Sequence, residues 1–271
     1  MTEPLGRAHT RALLARHGVR PRKALGQHFL VDPNIVRRTV EIAGIGPGSN
    51  VVEVGAGAGT LTRALAAAGG RVVAFEVDAS LQPVLAETLA GLDVDVRWEE
   101  ATVERLAAVV AEGRWSMVAN LPYNVGTPLL LSCLRQVPSI DRFVVMLQRE
   151  AVERLAAGPG SKIYGVPSVV AGLYGNVEVA MRVSPAVFVP PPEVESAVAV
   201  IDRVPAPKGA ALAADLAHAA FGQRRKMLRS SLRNALPDAI AALDAAGIDP
   251  RIRAEDVSPE EYLRLAGVVD P

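Results

Sequence analysis

The sequence predicts a doubly wound α/β sheet followed by a small helical domain, and three observations support this. Short apolar runs typical of buried strands alternate with helical patterns over most of the chain. A glycine-rich turn at 55–59 joins the first strand to its helix, as happens at the first crossover of ligand-binding sheets. After a proline- and glycine-containing linker at 205–209, the pattern is helical throughout. We therefore predict domains over residues 1–204 and 205–271.

Seven runs of the chain are predicted as strands. The first five are 51–54, 71–76, 94–98, 115–119 and 143–147. The last two, 176–183 and 196–201, lie close together in sequence and are expected to form an antiparallel pair at the sheet edge. Ligands of such sheets bind at the carboxyl ends of the strands, near the switch point. The residues that we expect on this rim are Gly55, Glu76, Glu100 and Asn120.

Helices are predicted between the strands and beyond the linker. Asp32 followed by Pro33 is an N-cap with proline in the first turn, so a helix should run from there to about Ala43. The other predicted helices are 60–68, 127–134, 148–157, 210–221, 224–236, 237–246 and 259–265. Residues 162–174 favour neither helix nor strand. The basic segment 1–24 is interpreted either as a mobile tail or as an arm that closes over a ligand or touches phosphate.

Composition excludes several classes of protein. Among 271 residues, 50% are apolar and 4% aromatic, so the core must consist of Ala, Val and Leu. The one cysteine, Cys133, rules out a disulfide framework and a cysteine-built metal site, and is expected in the core. The N-terminus lacks a signal-peptide pattern and the sequence lacks a membrane-length apolar run, so we expect a cytoplasmic protein.

The glycine-rich turn and Glu76 together indicate a nucleoside ligand. The turn has Thr60 where the dinucleotide fingerprint has glycine, so the turn alone leaves tight packing and ligand binding equally open. Glu76 ends the next strand some twenty residues later, where an acid accepts hydrogen bonds from a ribose. Glu100, after the third strand, is placed to accept from an adenine amino group, or is a solvated acid. NAD and S-adenosylmethionine both remain open at this point.

The stretch Asn-Leu-Pro-Tyr at 120–123 follows the fourth strand and suits a planar amino group. The oxygens of Asn120 and of the neighbouring backbone can accept its two hydrogens, and Tyr123 offers a ring face. Phe188 precedes three prolines at 190–192 that hold a loop extended. An aromatic side chain there is expected to be presented to a ligand, and the alternative is a core phenylalanine.

The formal net charge is zero, but basic residues cluster locally. Arg224, Arg225 and Lys226 lie near the start of the predicted helix 224–236, where positive charge opposes the helix dipole. A cluster so placed favours binding to a phosphate backbone. The alternative is a solvated charged face.

The chain resembles the ribosomal RNA adenine N6,N6-dimethyltransferases of the KsgA type. The runs that carry the resemblance are 25–30, 52–57, 120–124, 146–150, 157–162, 188–192, 196–198, 221–226 and 253–255. They occur in order and cover nearly the whole chain. The run at 120–123 points to amino-group methylation, and those at 221–226 and 253–255 to the ribosomal branch.

The resemblance implies a class I methyltransferase-like (Rossmann-like) fold with S-adenosylmethionine as cofactor. The implied substrate is a pair of adjacent adenines in the 3′-terminal hairpin of 16S rRNA, dimethylated at N6 in an immature small ribosomal subunit. We expect a monomer without metal or membrane partner. The implied cofactor contacts are His28, Leu30, Gly55, Gly57, Glu76, Glu100 and Asn120. Two of them depart from the commonest pattern, since His28 replaces Asn and Glu100 replaces Asp.

With such a substrate, the chemistry of the side chains suggests roles at the target adenine. Asn120 and the Leu121 carbonyl would accept the N6 hydrogens, Pro122 would stiffen the turn, and Tyr123 and Phe188 would sandwich the base. Arg224, Arg225 and Lys226 would bind RNA. Two alternatives stay open: a large-subunit rRNA adenine dimethyltransferase of the macrolide-resistance type, and a non-catalytic assembly or transcription factor on the same fold.

Overall fold

The structure is a computed structural model that describes residues 5–270. Its strands are β1 (Phe29–Leu30), β2 (Asn50–Val54), β3 (Arg71–Phe75), β4 (Val94–Arg97), β5 (Trp115–Asn120), β6 (Ile140–Gln148), β7 (Gly175–Val183), β8 (Phe188–Val189) and β9 (Ser196–Arg203). All seven predicted strands are confirmed, with ends that shift by a few residues. β1 and β8 are additional.

Helices fill the connections between these strands and most of the C-terminal part. They are α1 (Arg7–Arg16), α2 (Pro33–Ala43), α3 (Thr60–Ala67), α4 (Gln82–Thr88), α5 (Val103–Val109), α6 (Gly126–Gln136), α7 (Arg149–Leu155), α8 (Val166–Tyr174), α9 (Ala210–Phe221), α10 (Leu228–Ser231), α11 (Ala239–Ala245) and α12 (Pro259–Val269). Within residues 5–270, no helix combines the length and the apolar character needed to cross a membrane.

Seven of the described strands form one sheet in the order β4-β3-β2-β5-β6-β9-β7. The five strands from β2 to β6 pair in parallel, whereas β9 joins β6 antiparallel. β9 and β7 are neighbours at one edge of the sheet, as predicted. Because β2, β3, β4 and β5 are parallel, their carboxyl ends meet at one rim, which confirms the predicted doubly wound α/β sheet.

The apolar positions of these strands form a closed core. Val51 and Val52 of β2, Val118 of β5 and Val144 of β6 are each fully buried. The core contains α2 residues such as Val36. The start of this helix is fixed by Asp32, which accepts from two backbone N–H groups. Cys133 is buried as predicted.

The predicted exposure of Phe188 is wrong. Its backbone pairs with Leu30 in a two-stranded antiparallel sheet made by β1 and β8. The Phe188 ring is fully buried in the core that includes Met146 and Val198. The prolines that follow do hold a loop, but the ring before them turns inward because burying it against the core removes its large apolar surface from water.

The basic N-terminal segment contains a helix instead of lacking structure. α1 buries Leu13 and Leu14 in a second apolar cluster with Phe29, Leu81 and Val84. The sequence shows weak helical patterning here, so the helix depends on this burial more than on its own propensity. Residues 1–4 of the predicted segment lie outside the described part of the chain.

The chain divides into two compact units. The first contains the chain up to Val152 and Glu178–Asp202, and the second contains Glu153–Val177 and the chain from Arg203 onward. The sequence places a single boundary at 204, whereas 153–177 clusters with the C-terminal helices. This grouping follows from α8, which packs against α9 and α12, and from Tyr164, whose hydroxyl donates to the Val257 carbonyl at 2.8 Å.

The predicted helix 224–236 is wrong. Residues 222–226 form a turn, and the helix that follows, α10, covers four residues. The chain leaves helical conformation here because Met227 forms a β-bridge with Arg253 and the Leu228 N–H donates to the Ile252 carbonyl at 2.8 Å. We call residues 222–226 the basic turn.

Candidate active site

A cavity of about 680 Å³ lies at the rim of the sheet in the first unit. The predicted residues that line it are His28, Leu30, Gly55, Gly57, Glu76, Glu100, Asn120, Leu121, Pro122 and Tyr123. Phe188, which is buried in the core, is absent from this lining. The parallel register of β2 to β5 gathers eight of these ten positions from four stretches of the chain. The segment that contains β1, which pairs with β8, adds His28 and Leu30.

Glu76, directly after β3, is held in a fixed position by backbone donors. One carboxylate oxygen accepts from the Gly57 N–H and the other from the Asp78 N–H, each at 2.8 Å. Burial raises the pKa of Glu76 above its usual value, against the effect of these two hydrogen bonds. A carboxylate fixed at both oxygens keeps further lone pairs for hydroxyl donors, as a ribose provides.

Two glycines of the turn at 55–59 have different structural roles. Gly57 has a φ of 57°, which presents its N–H to Glu76 in a conformation that favours glycine. Gly59 has a φ of 80°, and a Cβ there would lie 2.8 Å from side-chain atoms of Leu85 and Thr88. Gly57 thus shapes the cavity, and Gly59 allows close packing against α4.

Asn120 presents a buried acceptor to the cavity. Its side-chain Nδ2 donates to the His28 carbonyl at 3.2 Å, which fixes the plane of the amide. Among the residues that the structure describes, its Oδ1 is buried and has no hydrogen-bond partner. A buried carboxamide oxygen in this state is costly unless a ligand donor satisfies it.

Tyr123 is held at both its hydroxyl and its ring. The hydroxyl lies 2.6 Å from Oγ of Ser196, a fully buried residue of β9. The ring stacks on His28, with centroids 5.6 Å apart and planes at 24°. Burial raises the pKa of the Tyr123 hydroxyl, so it stays protonated near neutral pH. The Tyr123 ring is therefore a rigid surface.

The His28 ring has partners that the sequence does not predict. Besides stacking on Tyr123, its Nδ1 lies 2.8 Å from the Pro190 carbonyl. The backbone carbonyl of the same residue receives the Asn120 amide. His28 thus connects the segment before β1 to the Asn-Leu-Pro-Tyr turn.

Glu100 and Leu30 both line the cavity but differ in their exposure to solvent. The Glu100 residue is exposed, and its carbonyl accepts from the Arg105 side chain at 2.9 Å. Leu30 is 5% exposed and is fixed by pairing with Phe188. Glu100 is therefore an exposed acid in the cavity lining, and Leu30 a buried apolar part of the wall.

Sequence reasoning misses Glu53 as a site residue. Glu53 lines the cavity, is 1% exposed, and its Oε2 has no partner in the described part of the chain. Burial raises the pKa of Glu53 to about 8, with a smaller contribution from the Glu76 charge. The signal in the sequence is an acid inside an apolar strand, two residues before the first glycine of the turn.

The basic turn lies in the second unit and is built differently. Arg224 is bound, since its Nε donates to Glu255 at 2.7 Å and its NH2 to the Lys162 carbonyl at 2.8 Å. Arg225 and Lys226 are exposed. The cluster predicted from the sequence therefore consists of three exposed cations, of which Arg224 is already hydrogen-bonded within the second unit.

No group of three or more carboxylate, thiolate or imidazole side chains is placed to hold a metal ion within residues 5–270. The polar groups of the cavity instead suit an organic ligand. Glu76 and the Asn120 Oδ1 are acceptors, while Tyr123 and Leu30 add aromatic and apolar surface.

Comparisons of sequence show which known proteins this chain is similar to. Residues 18–270 match the family described as ribosomal RNA adenine dimethylase. The "Ribosomal RNA small subunit methyltransferase A" of Leifsonia xyli subsp. xyli is 45% identical, over 97% of this chain and 97% of that protein. The protein of the same name from Deinococcus radiodurans is 46% identical, over 92% of this chain and 86% of that protein.

Comparisons of structure give the fold. The crystal structure of the 23S rRNA methyltransferase ErmE matches with a TM-score of 0.67 and 26% identity, covering 90% of this chain and all of that one. A dimethyladenosine transferase from Plasmodium falciparum matches with a TM-score of 0.73 and 22% identity, over 88% of this chain and 96% of that one. The sheet is therefore that of class I methyltransferases, as the resemblance implies.

Proposed function

This chain belongs to the ribosomal RNA adenine dimethylase family, and from that premise we propose that it dimethylates N6 of two adjacent adenines in 16S rRNA. The proposed target is the 3′-terminal hairpin, and the proposed methyl donor is S-adenosylmethionine. We also propose that it acts as a monomer on an immature small subunit in the cytoplasm. The near full-length similarity to small-subunit methyltransferases supports the choice of subunit.

The observation that carries the proposal is the unsatisfied Oδ1 of Asn120. Its position on the cavity, beside the Leu121 carbonyl and the Tyr123 ring, calls for a planar ligand with an N–H donor. An exocyclic adenine amino group has this chemistry. The tether from Nδ2 to the His28 carbonyl keeps the oxygen, not the NH₂ group, directed at the ligand.

The residues of the cavity fit S-adenosylmethionine. Glu76 would hold the ribose hydroxyls, Glu100 the adenine amino group, and Gly55 and Gly57 would allow the backbone to approach the ligand. Leu30 and His28 would complete the wall beside Asn120. When bound, this cofactor supplies a methyl group on a positively charged sulfur.

Asn120 and the Leu121 carbonyl would act by orienting the target. The N6 lone pair of adenine is delocalised into the ring, so N6 is a weak nucleophile that must be aimed at the methyl group. Acceptors for both N6 hydrogens fix that direction. These hydrogen bonds strengthen as positive charge develops on N6, so they favour the transition state over the ground state.

Tyr123 would supply the surface on which the extruded base stacks. One side of its ring is supported by His28, and its hydroxyl is tied to Ser196, so the ring is preorganised. Modifying enzymes must take the base out of its stack, and an aromatic surface recovers about 1–3 kcal/mol of the cost. The buried Phe188 is not part of this proposal.

Arg225 and Lys226 would contribute to RNA binding through phosphate contacts. Both are exposed cations on the basic turn, and sequence-independent affinity for RNA arises from such charges. We propose accordingly that the first unit carries catalysis and the second contributes rRNA binding. Arg224 supports the turn through Glu255.

The direct test is methylation of purified ribosomal subunits. The protein, given S-adenosylmethionine, should add four methyl groups to 16S rRNA in unmethylated small subunits, located by mass spectrometry of nuclease fragments. Large subunits should remain unmodified. Methylation of large subunits alone would favour the macrolide-resistance type, and calorimetric absence of cofactor binding would favour a non-catalytic factor.

A further inference from the structure

Residues 22–28, which we call the strap, border the cavity and are fastened at both ends. Residues 24–28 all line the cavity. The strap contains a turn in which the Leu25 and Gln27 N–H groups donate to the Arg22 carbonyl and the Arg22 N–H donates to Gln27 Oε1 at 2.8 Å. The turn is thus closed by its own hydrogen bonds, and its contacts with the rest of the fold fix its place beside the cavity.

Asp78 forms the first anchor. Its side chain is 0% exposed, and its Oδ2 accepts from Gln27 Nε2 at 2.8 Å. Its Oδ1 accepts from the backbone N–H and hydroxyl of Ser80, and Arg22 lies 3.3 Å away. Although burial opposes ionisation, the hydrogen bonds from Ser80 and Gln27 lower the pKa of Asp78. The anchor is thus a buried carboxylate with its donors in place.

The same residue also touches the carboxylate that faces the cavity. The backbone N–H of Asp78 donates to Glu76 Oε1 at 2.8 Å, and the other Glu76 oxygen is bound by Gly57. One residue therefore joins the strap through its side chain and Glu76 through its backbone. A shift of Asp78 would disturb both.

The second anchor joins the strap to the Asn-Leu-Pro-Tyr turn. The His28 carbonyl accepts from Asn120 and its ring stacks on Tyr123. A Cβ on Gly26 would lie 3.5 Å from the Asn124 side chain, so the strap lies against that turn. The strap therefore spans from the loop after β3 to the turn after β5.

We propose that Asp78 and Gln27 are positioning residues that hold the strap closed over the cofactor and set the orientation of Glu76. The cofactor then enters or leaves when the Gln27–Asp78 hydrogen bond opens. The identity of the cofactor rests on the proposed function, whereas the fastening of the strap does not. The chemical step uses neither side chain.

The first test separates cofactor binding from turnover. Gln27→Ala removes the hydrogen bond from the strap side and leaves the loop after β3 intact. The dissociation constant for S-adenosylmethionine should rise about tenfold, with kcat at saturating cofactor and the KM for small subunits within twofold of wild type. Asp78→Asn should raise the dissociation constant at least as much.

Ser80→Ala is the matched control. It removes one hydrogen bond to the same Asp78 carboxylate without touching the strap, so cofactor affinity should stay within twofold of wild type. An equal loss of affinity in Ser80→Ala and Gln27→Ala would mean that Asp78 acts only by capping its own loop. That result would overturn the proposal.

The second test reports on the strap without turnover. Trypsin can cleave after Arg22 and Lys23, but not after Arg20, because Pro21 follows it. Gln27→Ala should speed this cleavage severalfold in the cofactor-free protein, and cofactor should slow cleavage of the wild type. Cleavage of Gln27→Ala at the wild-type rate would contradict the proposal. Faster cleavage in a protein that binds no S-adenosylmethionine would support the strap and refute the proposed function.

Discussion

The cavity rim of the first unit and the basic turn of the second both hold polar groups. The two sets differ in burial and in hydrogen bonding. At the rim, Glu53 is buried and Asn120 is half-buried, and each has a buried oxygen that lacks a partner in the described chain. At the basic turn, Arg225 and Lys226 are exposed, and the nearby Arg224 is paired with Glu255.

This difference indicates that the rim selects the geometry of a ligand, whereas the basic turn contributes affinity for a phosphate backbone. Buried unsatisfied oxygens are costly and strongly directional, so they select one ligand geometry. Exposed cations are screened and weakly directional, and they attract any phosphate backbone. Substitutions at the rim should therefore change turnover or stability steeply, and substitutions at the turn should change binding gently.

The largest effect is expected from Asn120→Ala. Removal of the acceptor should lower kcat for methyl transfer about 1,000-fold, or about 4 kcal/mol, with the cofactor dissociation constant within a few-fold of wild type. Asn120→Asp keeps an acceptor oxygen, so its kcat should fall less than that of Asn120→Ala. Single-turnover kinetics with calorimetry measures both, and a kcat within threefold of wild type would refute the role.

Glu53→Gln should change how stability depends on pH. Native Glu53, with a pKa of about 8, holds a proton that the unfolded chain loses above about pH 4.5. Its contribution to stability is thus full below pH 4.5 and lost as pH rises through about 8, a change of about 3–5 kcal/mol. The free energy of unfolding of Glu53→Gln, measured with urea, should therefore decline less over this pH range than that of the wild type.

The control is Glu41→Gln, at an exposed carboxylate of α2 paired with Arg38. The free energy of unfolding of Glu41→Gln should decline with pH as steeply as that of the wild type. A decline equally steep in Glu53→Gln would show that the buried carboxyl is ionised in the native protein.

Two substitutions of Tyr123 distinguish the contribution of its ring to methyl transfer from that of its hydroxyl. Tyr123→Ala should lower kcat/KM for small subunits about 10–100-fold, the value of one stacked base. Tyr123→Phe keeps the ring and loses the bond to Ser196, so its loss should be a few-fold. Equal losses in the two variants, measured by methyl incorporation, would mean that the hydroxyl carries the effect.

The smallest effect is expected at the basic turn. Arg225→Ala with Lys226→Ala should weaken binding to small subunits about tenfold and reduce the slope of log affinity against log salt by about 1.5–2. Arg224 is left intact because it is paired with Glu255. Arg37→Ala with Arg38→Ala removes the same charge from α2, and its slope should match wild type. A wild-type slope in the turn variant would place the RNA contacts elsewhere.

The sequence suffices for the rim because parallel strands end at the same edge. Once β2 to β5 are recognised, Gly55, Glu76 and Asn120 must lie together. Phe188 could not be predicted this way, since its burial depends on pairing with Leu30, 158 positions earlier in the numbering. Local proline geometry predicts the loop but not the direction of the ring.

The second unit was harder to predict because its turns depend on distant backbone partners. The charged run at 224–236 suits a helix locally, but the bridge between Met227 and Arg253 interrupts it. Likewise, 153–177 shows no composition break, and its grouping with the C-terminal helices follows from the packing of α8. Glu53 is not predicted because strand periodicity alone does not reveal that an acid inside a strand lines a cavity.

Each of the two units consists of two separate stretches of the chain, and this limits how the protein can be truncated. A chain ending at residue 204 would keep 153–177 but lose α9 and α12, which pack against α8. In the intact fold α8 buries Val169, Val170 and Leu173. Such a fragment would expose an apolar helix and should aggregate. A synthetic gene that replaces 153–174 by a short polar loop, and stops after Arg203, keeps β7 and β9 whole and is the rational way to isolate the sheet.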